Sequence, residues 1–101
     1  MSFILGTSAA EDLRSIVSYS RDRWGDDQAR RYAAKLKQAI ERLADGRGRF
    51  RDVSDMIDGL RVMRCEHHFI FGLVRENQPM LIVAILHERM DMLVKIGSRL
   101  E

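Results

Sequence analysis

The chain has 101 residues, of which 46% are hydrophobic and 32% charged, and its formal net charge is +2. A chain of this length supports one modest core, so we expect a single domain over residues 1–101. Its charges are dense but nearly balanced, which argues against direct binding of nucleic acid through a strongly basic surface. Cys65 is the only cysteine, which excludes an intrachain disulfide and a cysteine-based zinc site.

Neither the N-terminus nor the longest apolar run has the features of export or membrane insertion. The start of the chain, Met1 to Leu5, lacks the basic flank and the long apolar stretch of a signal peptide. The apolar run Leu81–Leu86 has only six residues, too few to span a membrane. We therefore expect a cytoplasmic protein with no membrane contact.

The first predicted elements are a short strand and a helix. Phe3-Ile4-Leu5 predicts a brief strand at the margin of a sheet, ended by Gly6. Ser8 and Glu11 have the spacing of a capping box at a helix start, and Gly25 is expected to end that helix. One stripe follows helical spacing between them, made of Leu13, Ile16, Val17, Ser20 and Trp24.

A second helix is predicted directly after the first. Asp26 or Asp27 is expected to cap it, and Asp45-Gly46 to end it. Two helices joined by so few residues run antiparallel, so their apolar stripes form one continuous surface. The aromatic residues Tyr19, Trp24 and Tyr32 are interpreted as packing at this hairpin and its edge. The second stripe consists of Ala29, Tyr32, Ala33, Leu36, Ile40 and Leu43.

Residues 46–59 form the one long connection of the chain, because the helical periodicity stops there. Arg47, Arg49 and Arg51 alternate along it. A solvated loop is the simpler interpretation, and binding of phosphate or of a partner's carboxylates is the alternative.

The rest of the chain predicts an antiparallel meander with strands at Leu60–Arg64, His68–Val74 and Leu81–Leu86. The last strand is continuously apolar, as expected for a strand buried on both faces. A short helical tail follows, whose apolar residues either cover the sheet or bind a partner, and we expect this tail to be dispensable for covering the last strand. The predicted fold class is α+β: a small antiparallel β-sheet in the order β-α-α-β-β-β, packed against an N-terminal helical hairpin.

No constellation in the sequence points clearly to catalysis or to a cofactor. Neighbouring strand residues face opposite sides, so His67 and His68 do not predict a shared metal centre. Cys65 beside His67 is interpreted as a turn residue, not as a nucleophile with its base, and no glycine-rich phosphate loop is present. A metal-free ribonuclease remains an alternative, because four residues on an exposed sheet face suit phosphate chemistry: Arg61, Arg64, His68 and His87.

Five short segments, in the same order along nearly the whole chain, resemble the ParE branch of the RelE/ParE toxin superfamily. They cover the first helix, the hairpin turn, the entry to the meander, its middle strand and its last strand. The segments are Ala9-Ala10-Glu11-Asp12-Leu13, Arg23-Trp24-Gly25 with Gln28-Ala29, Gly59-Leu60-Arg61, His68-Phe69-Ile70-Phe71 and Ile85-Leu86-His87-Glu88-Arg89-Met90-Asp91.

This resemblance implies the toxin of a type II toxin–antitoxin system. Members of this branch block DNA gyrase without being enzymes, and a ParD-like antitoxin neutralises them by folding a disordered segment onto a groove of the toxin. An apolar groove beside the hairpin with an arginine rim would suit such a segment. The expected rim is Arg47, Arg49, Arg51, Arg61 and Arg64, and the expected gyrase-directed residues are His87, Arg89, Met90, Asp91, Lys95 and Arg99.

Two departures from the family pattern stand out. Gly72 replaces a common aromatic residue and predicts a gap or a bulge, and the loop at residues 44–48 lacks the common Asn-Pro.

The RelE branch, which cleaves messenger RNA on the ribosome, typically has a basic cluster with a C-terminal tyrosine or histidine. This chain has no tyrosine after Tyr32, although Arg61, Arg64 and His87 resemble part of that cluster. A ribosome-dependent endonuclease and a non-toxic interaction module are therefore the alternatives.

Overall fold

The computed structural model describes residues 3–90 and 92–100, and within them the chain forms five strands and three helices. The predicted α+β class and the hairpin are confirmed. None of the described helices combines the length and the apolar character of a membrane-spanning segment. In chain order the elements are β1 (Phe3–Leu5), α1 (Thr7–Trp24), α2 (Asp26–Asp45), β2 (Phe50–Asp52), β3 (Leu60–Cys65), β4 (His68–Leu73), β5 (Met80–His87) and α3 (Met92–Leu100).

The five strands form one sheet in the order β1-β5-β4-β3-β2. The predicted meander β3-β4-β5 is confirmed and antiparallel. β1 lies at the margin as predicted, but it pairs with β5 in parallel, so the sheet is mixed. β2 lies inside the predicted long connection and pairs antiparallel with β3. The sequence missed β2 because three residues, two of them charged, carry no readable period.

The helical hairpin covers one face of the sheet. Leu36, Ile40 and Leu43 of α2 are almost fully buried and pack against Ile70 and Ile82 of the central strands. These are the positions that the helical spacing predicted, so the α2 stripe is the main contact between the two layers. Burial of each such aliphatic side chain stabilises the fold by about 1.5–3 kcal/mol.

The helix α3 covers the opposite face, which the sequence left open. Ile96 is 4% exposed and belongs to a second apolar cluster with Phe71, Val83, Ala84 and Leu86. β5 is therefore buried on both faces, as its composition predicted. The expectation that the tail is dispensable for covering this strand is wrong, because removing α3 would expose the second cluster to water.

A β-bulge interrupts the pairing of β4 with β5. Phe71 pairs with Ala84 and Gly72 pairs with Ile82, so Val83 is the extra residue. A Cβ atom at Gly72 would collide with the Met80 sulfur and lie 3.1 Å from a Leu43 methyl group. The departure at Gly72 thus produces the predicted bulge and no gap, since Met80 fills the space that an aromatic side chain would need.

Both predicted side-chain caps of the hairpin are wrong. Gly6 and Gly25 stand at the N-cap positions of α1 and α2, and neither helix start has a side-chain cap hydrogen bond. Ser8 lies inside α1, and Asp26 lies in the first turn of α2, where its charge favours the helix dipole. Gly25 does end α1, with φ +90°, and it is also the N-cap of α2. This single glycine is therefore the entire connection between the two helices.

The predicted packing of the aromatic residues at the hairpin is confirmed for Tyr32, whereas Tyr19 and Trp24 contact each other but remain largely exposed. Tyr32 packs against the main core, whereas Tyr19 and Trp24 are 56% and 59% exposed. The helical spacing placed Trp24 on the apolar stripe, but the stripe extends beyond the sheet at the end of α1. A residue at the tip of a hairpin has no opposing layer to bury it.

An ion pair between Asp12 of α1 and Arg99 of α3 joins the two helical layers across the edge of β5. Two hydrogen bonds of 2.6 and 2.9 Å connect the guanidinium to the carboxylate. The Asp12 carboxylate also accepts the Ile85 N–H at 2.9 Å, and Arg99 donates to the Val83 carbonyl at 3.1 Å. Both side chains are at most 20% exposed, and the pairing raises the pKa of Arg99. The pair therefore supplies hydrogen-bond partners to the part of the β5 edge that β1 is too short to cover.

We predict that Asp12→Asn lowers the free energy of unfolding by about 2 kcal/mol, because it removes a charged, largely buried, bidentate contact. Urea denaturation measures the change. Lys35→Gln, which removes the exposed Lys35–Glu66 pair, is the control and should cost less than about 1 kcal/mol. Equal losses of unfolding free energy in the two variants would contradict the prediction that the buried Asp12–Arg99 pair stabilises the fold more than an exposed pair does.

Candidate functional site

A groove of about 480 Å³ lies between α2 and the free end of β3. Its floor is apolar, because the buried side chains of Ala39 and Met63 lie beneath it. Its walls come from one face of α2, from the segment before β2 and from the end of β3. The lining residues are Lys35, Gln38, Ala39, Arg42, Gly48, Arg49, Met63, Arg64, Cys65 and Glu66.

The groove exists because β2 is short. β2 pairs with β3 only from Arg61 to Met63, and the chain before Phe50 turns away at Gly48, which has φ +82°. The outer edge of β3 at Arg64 therefore has no neighbouring strand within the described residues. An open strand edge of this kind offers backbone donors and acceptors to an extended or helical partner.

The groove has a basic rim with two unpaired cations. Lys35 forms a 3.0 Å ion pair with Glu66, and this contact lowers the pKa of Glu66. Arg42 and Arg49 are exposed, and no carboxylate of the described residues lies within salt-bridge distance of either. A carboxylate that enters the groove would meet both guanidinium groups without breaking an existing pair.

The structure places only part of the predicted arginine rim at this groove. Arg49 and Arg64 line it, although the Arg64 guanidinium lies 2.7 Å from the Glu88 carboxylate. Arg61 lies over the Phe50 ring at 4.7 Å and lines a separate groove of about 510 Å³ beside Pro79. Arg47 pairs with Asp45 at 2.8 Å, and Arg51 is exposed on β2.

Sequence reasoning missed two cations of the rim, Lys35 and Arg42. Together with Gln38 they recur at intervals of three and four residues along α2. This spacing places them on one helix face, next to the apolar stripe. The signal was present in the sequence, but only the position of β3 distinguishes this polar face from an ordinary solvated one.

The three histidines cluster at the end of the sheet where β3 meets β4. His68 lies 2.6 Å from the Tyr32 hydroxyl through Nδ1, and its ring centroid is 5.2 Å from that of His87. His67 pairs with Glu88 at 2.7 Å. Within the described residues, no group of three or more histidine, cysteine or acidic side chains is placed to hold a metal ion.

The environment of His68 keeps its imidazole neutral. Burial, together with the neighbouring His87 and His67, lowers the pKa of His68 from 6.5 to about 4. Burial also raises the pKa of Tyr32 to about 12, so its hydroxyl stays protonated. Neither group titrates near neutral pH, which is unsuitable for general acid–base catalysis there.

Of the four residues proposed for ribonuclease chemistry, His68 and His87 lie together, with ring centroids 5.2 Å apart, but Arg61 and Arg64 do not join them in one site. Arg61 and Gly72 form one row of cross-strand neighbours in the sheet. Cys65, His68 and His87 form another row. Four residues of strand, about 13 Å, separate these rows. Arg61 also donates to the Leu43 carbonyl on the hairpin side, while Arg64 lies over the ring of Phe69, which packs against the second cluster. The two arginines therefore face opposite sides of the sheet.

The residues predicted to face gyrase have different environments. Arg89, Met90 and Lys95 are exposed, with Met90 at 47%. His87 is half-buried, and its Nδ1 accepts the Arg89 N–H at 3.2 Å. Arg99 is held by Asp12, as described above. Asp91 lies outside the described residues.

We predict that the stability of the fold decreases as the pH falls from 6.5 towards 4. In this range the unfolded chain protonates His68 while the folded chain does not, so protonation favours unfolding. Unfolding midpoints in urea measured across this range test the effect. His68→Gln removes the titrating group and should flatten the dependence, and a variant with an unchanged pH profile would contradict the assignment.

Comparison with known proteins places this chain in a family. A family model described as the ParE toxin of the type II toxin–antitoxin system parDE matches residues 3–92. The protein named Toxin ParE from Escherichia coli is 52% identical over 98% of this chain and 96% of its own length. Toxin ParE1 from Mycobacterium tuberculosis is 33% identical over 88% of this chain and 91% of its own length.

A further relative and one solved structure agree with this match. Toxin ParE1 from Caulobacter vibrioides is 31% identical over 92% of this chain and 95% of its own length. A chain of the structure titled "Chromosomal ParDE TA system from P. aeruginosa" has the same fold, with a TM-score of 0.70 at 20% identity over 86% of this chain and 95% of that one. The resemblance noted in the sequence is thus confirmed, and the chain belongs to the ParE toxin family of type II toxin–antitoxin systems.

Proposed function

We propose that this toxin inhibits DNA gyrase in the cytoplasm and that a ParD-like antitoxin neutralises it by binding the groove between α2 and β3. The observation that carries the antitoxin part is the groove itself. It combines an apolar floor, an open strand edge and the two unpaired cations Arg42 and Arg49. The solved structure with the same fold comes from a ParDE system.

The chemistry of the groove suits a segment that folds as it binds. An amphipathic helix or strand would place apolar side chains over Ala39 and Met63 and direct carboxylates to the basic rim. Arg49 and Arg64 are the members of the predicted rim that line the groove. Arg47, Arg51 and Arg61 lie outside it and remain candidates for a longer segment that continues around the domain.

Gyrase as the target is inferred from family membership. The candidate contact surface follows β5 and comprises His87, Arg89, Met90, Asp91, Lys95 and Arg99. We favour action by binding over catalysis, because Arg61 and His87 lie in separate rows of the sheet and His68 stays neutral.

A supercoiling assay with purified gyrase tests the target. We expect the toxin to inhibit supercoiling and cleaved DNA to accumulate, and excess antitoxin to reverse both effects. The absence of inhibition at micromolar toxin would overturn the gyrase proposal. Translation-coupled cleavage of messenger RNA would then support the RelE-like alternative, and inactivity in both assays would support a non-toxic interaction module.

Reversal of one charge in the groove tests the antitoxin site. Arg49→Glu should weaken antitoxin binding at least about tenfold, since it turns an attraction for carboxylates into repulsion. Isothermal titration calorimetry measures the dissociation constant. Lys37→Glu carries the same charge change on an exposed position of α2 outside the groove, and it should stay within about twofold of the parent. Equal weakening by both variants would reflect net charge alone and contradict the site.

A further inference from the structure

The tip of the helical hairpin carries two exposed aromatic rings that the fold does not use. Tyr19 and Trp24 are 56% and 59% exposed and belong to neither apolar cluster. Their rings meet edge to face, with centroids 5.9 Å apart and an interplanar angle of 78°. This contact fixes the two rings relative to each other at the surface. An exposed pair of large aromatic side chains is a common feature of protein-binding surfaces.

Arg23 lies beside both aromatic rings of the tip. Its guanidinium carbon lies 5.7 Å from the Tyr19 ring centroid and 5.8 Å from that of Trp24. The rings hold the cation by cation–π attraction, and no carboxylate of the described residues lies within salt-bridge distance of it. Its N–H groups thus remain available to an acceptor from outside. Tryptophan, tyrosine and arginine are the residues that contribute most often to the energy of protein interfaces.

The register of α2 shows where this tip lies. Tyr32 of α2 contacts His68, the first residue of β4, at one end of the sheet. Leu43, later in α2, lies beside Arg61 and Gly72, which are four residues further along their strands. The residues before Tyr32 therefore extend beyond the sheet. Trp24 is eight residues earlier, about 12 Å further out. The exposed Arg89 and Met90 follow β5 at this same end of the molecule.

The groove lies farther down the hairpin. Its residue nearest to the tip in α2 is Lys35, eleven residues after Trp24 and about 16 Å along the helices. A segment bound in the groove can therefore leave the tip uncovered.

We propose that the tip formed by Tyr19, Arg23 and Trp24 is a protein-binding surface separate from the antitoxin groove, and that it takes a carboxylate-bearing apolar patch on the protein that this toxin inhibits. The aromatic rings supply the apolar contact and Arg23 the complementary charge. This inference rests on the proposed function, in that the chain acts by binding a target protein. It extends the target-binding surface from the end of β5 to the hairpin.

Two tip variants and two matched controls test the inference. Trp24→Ala and Arg23→Glu alter the tip, whereas Met56→Ala removes another exposed hydrophobic side chain and Arg14→Glu reverses another exposed charge of α1. Growth arrest after expression without antitoxin is the first readout, because it does not depend on the identity of the target. The toxin concentration for half-inhibition of gyrase supercoiling is the second. Calorimetric titration with the antitoxin reports both folding and the groove.

We expect both tip variants to relieve growth arrest and to raise the half-inhibitory concentration at least about tenfold, with antitoxin affinity within about twofold of the parent and both controls unchanged. Full growth arrest by both tip variants, or an equal loss of antitoxin affinity, would overturn the inference. If the unaltered toxin arrests growth but does not inhibit gyrase, the gyrase proposal fails, and the growth readout still decides the role of the tip.

Trp24 also serves as a probe of its own surface, because it is the only tryptophan of the chain. Incorporation of 5-fluorotryptophan gives a single fluorine resonance from the tip. We expect antitoxin and dilution to leave the chemical shift of this resonance unchanged and target protein to change it. A shift with antitoxin alone would assign the tip to the antitoxin, a shift on dilution would assign it to a second copy, and either result would overturn the inference.

Discussion

The central strand β5 imposes the main constraint on this molecule, because it needs partners on both faces and both edges. Its side chains are covered by the hairpin on one face and by α3 on the other. β4 satisfies one edge, and β1 satisfies only the first part of the other. Beyond Gly6, whose N–H donates to the Ile82 carbonyl, the ion pair of Asp12 and Arg99 supplies the partners of the Ile85 N–H and the Val83 carbonyl. An unsatisfied backbone group there would cost as much as a lost buried hydrogen bond.

This constraint also links the C-terminal helix to the first helix. Arg99, one of the candidate gyrase contacts, also joins α1 to α3 through its ion pair with Asp12. The same contact holds α3 against β5, where Ile96 fills the second cluster. α3 is therefore held in one position, which limits the entropy lost when a partner binds its exposed side chains.

The groove and the aromatic tip are two exposed surfaces that do not contribute to the core, and they are separate from each other. The groove lies beside the middle of α2, where β2 is too short to pair with the end of β3. The aromatic tip lies beyond the sheet, because the hairpin is longer than the strands it covers. Both surfaces follow from mismatches in element length, and neither requires the core to change. Such an arrangement allows a small domain to bind two partners with little interference between the sites.

The amino-acid sequence by itself determined the class of the fold, the hairpin, the three-stranded meander and the burial of Leu81–Leu86, because periodicity and a continuous apolar run are local properties. It also carried enough short motifs for the family resemblance. Tertiary structure decided the parallel pairing of β1, the presence of β2, the docking of α3 and the exposure of Trp24. These features depend on which segments meet across long sequence distances and on where one layer ends, and a local pattern contains no information about either.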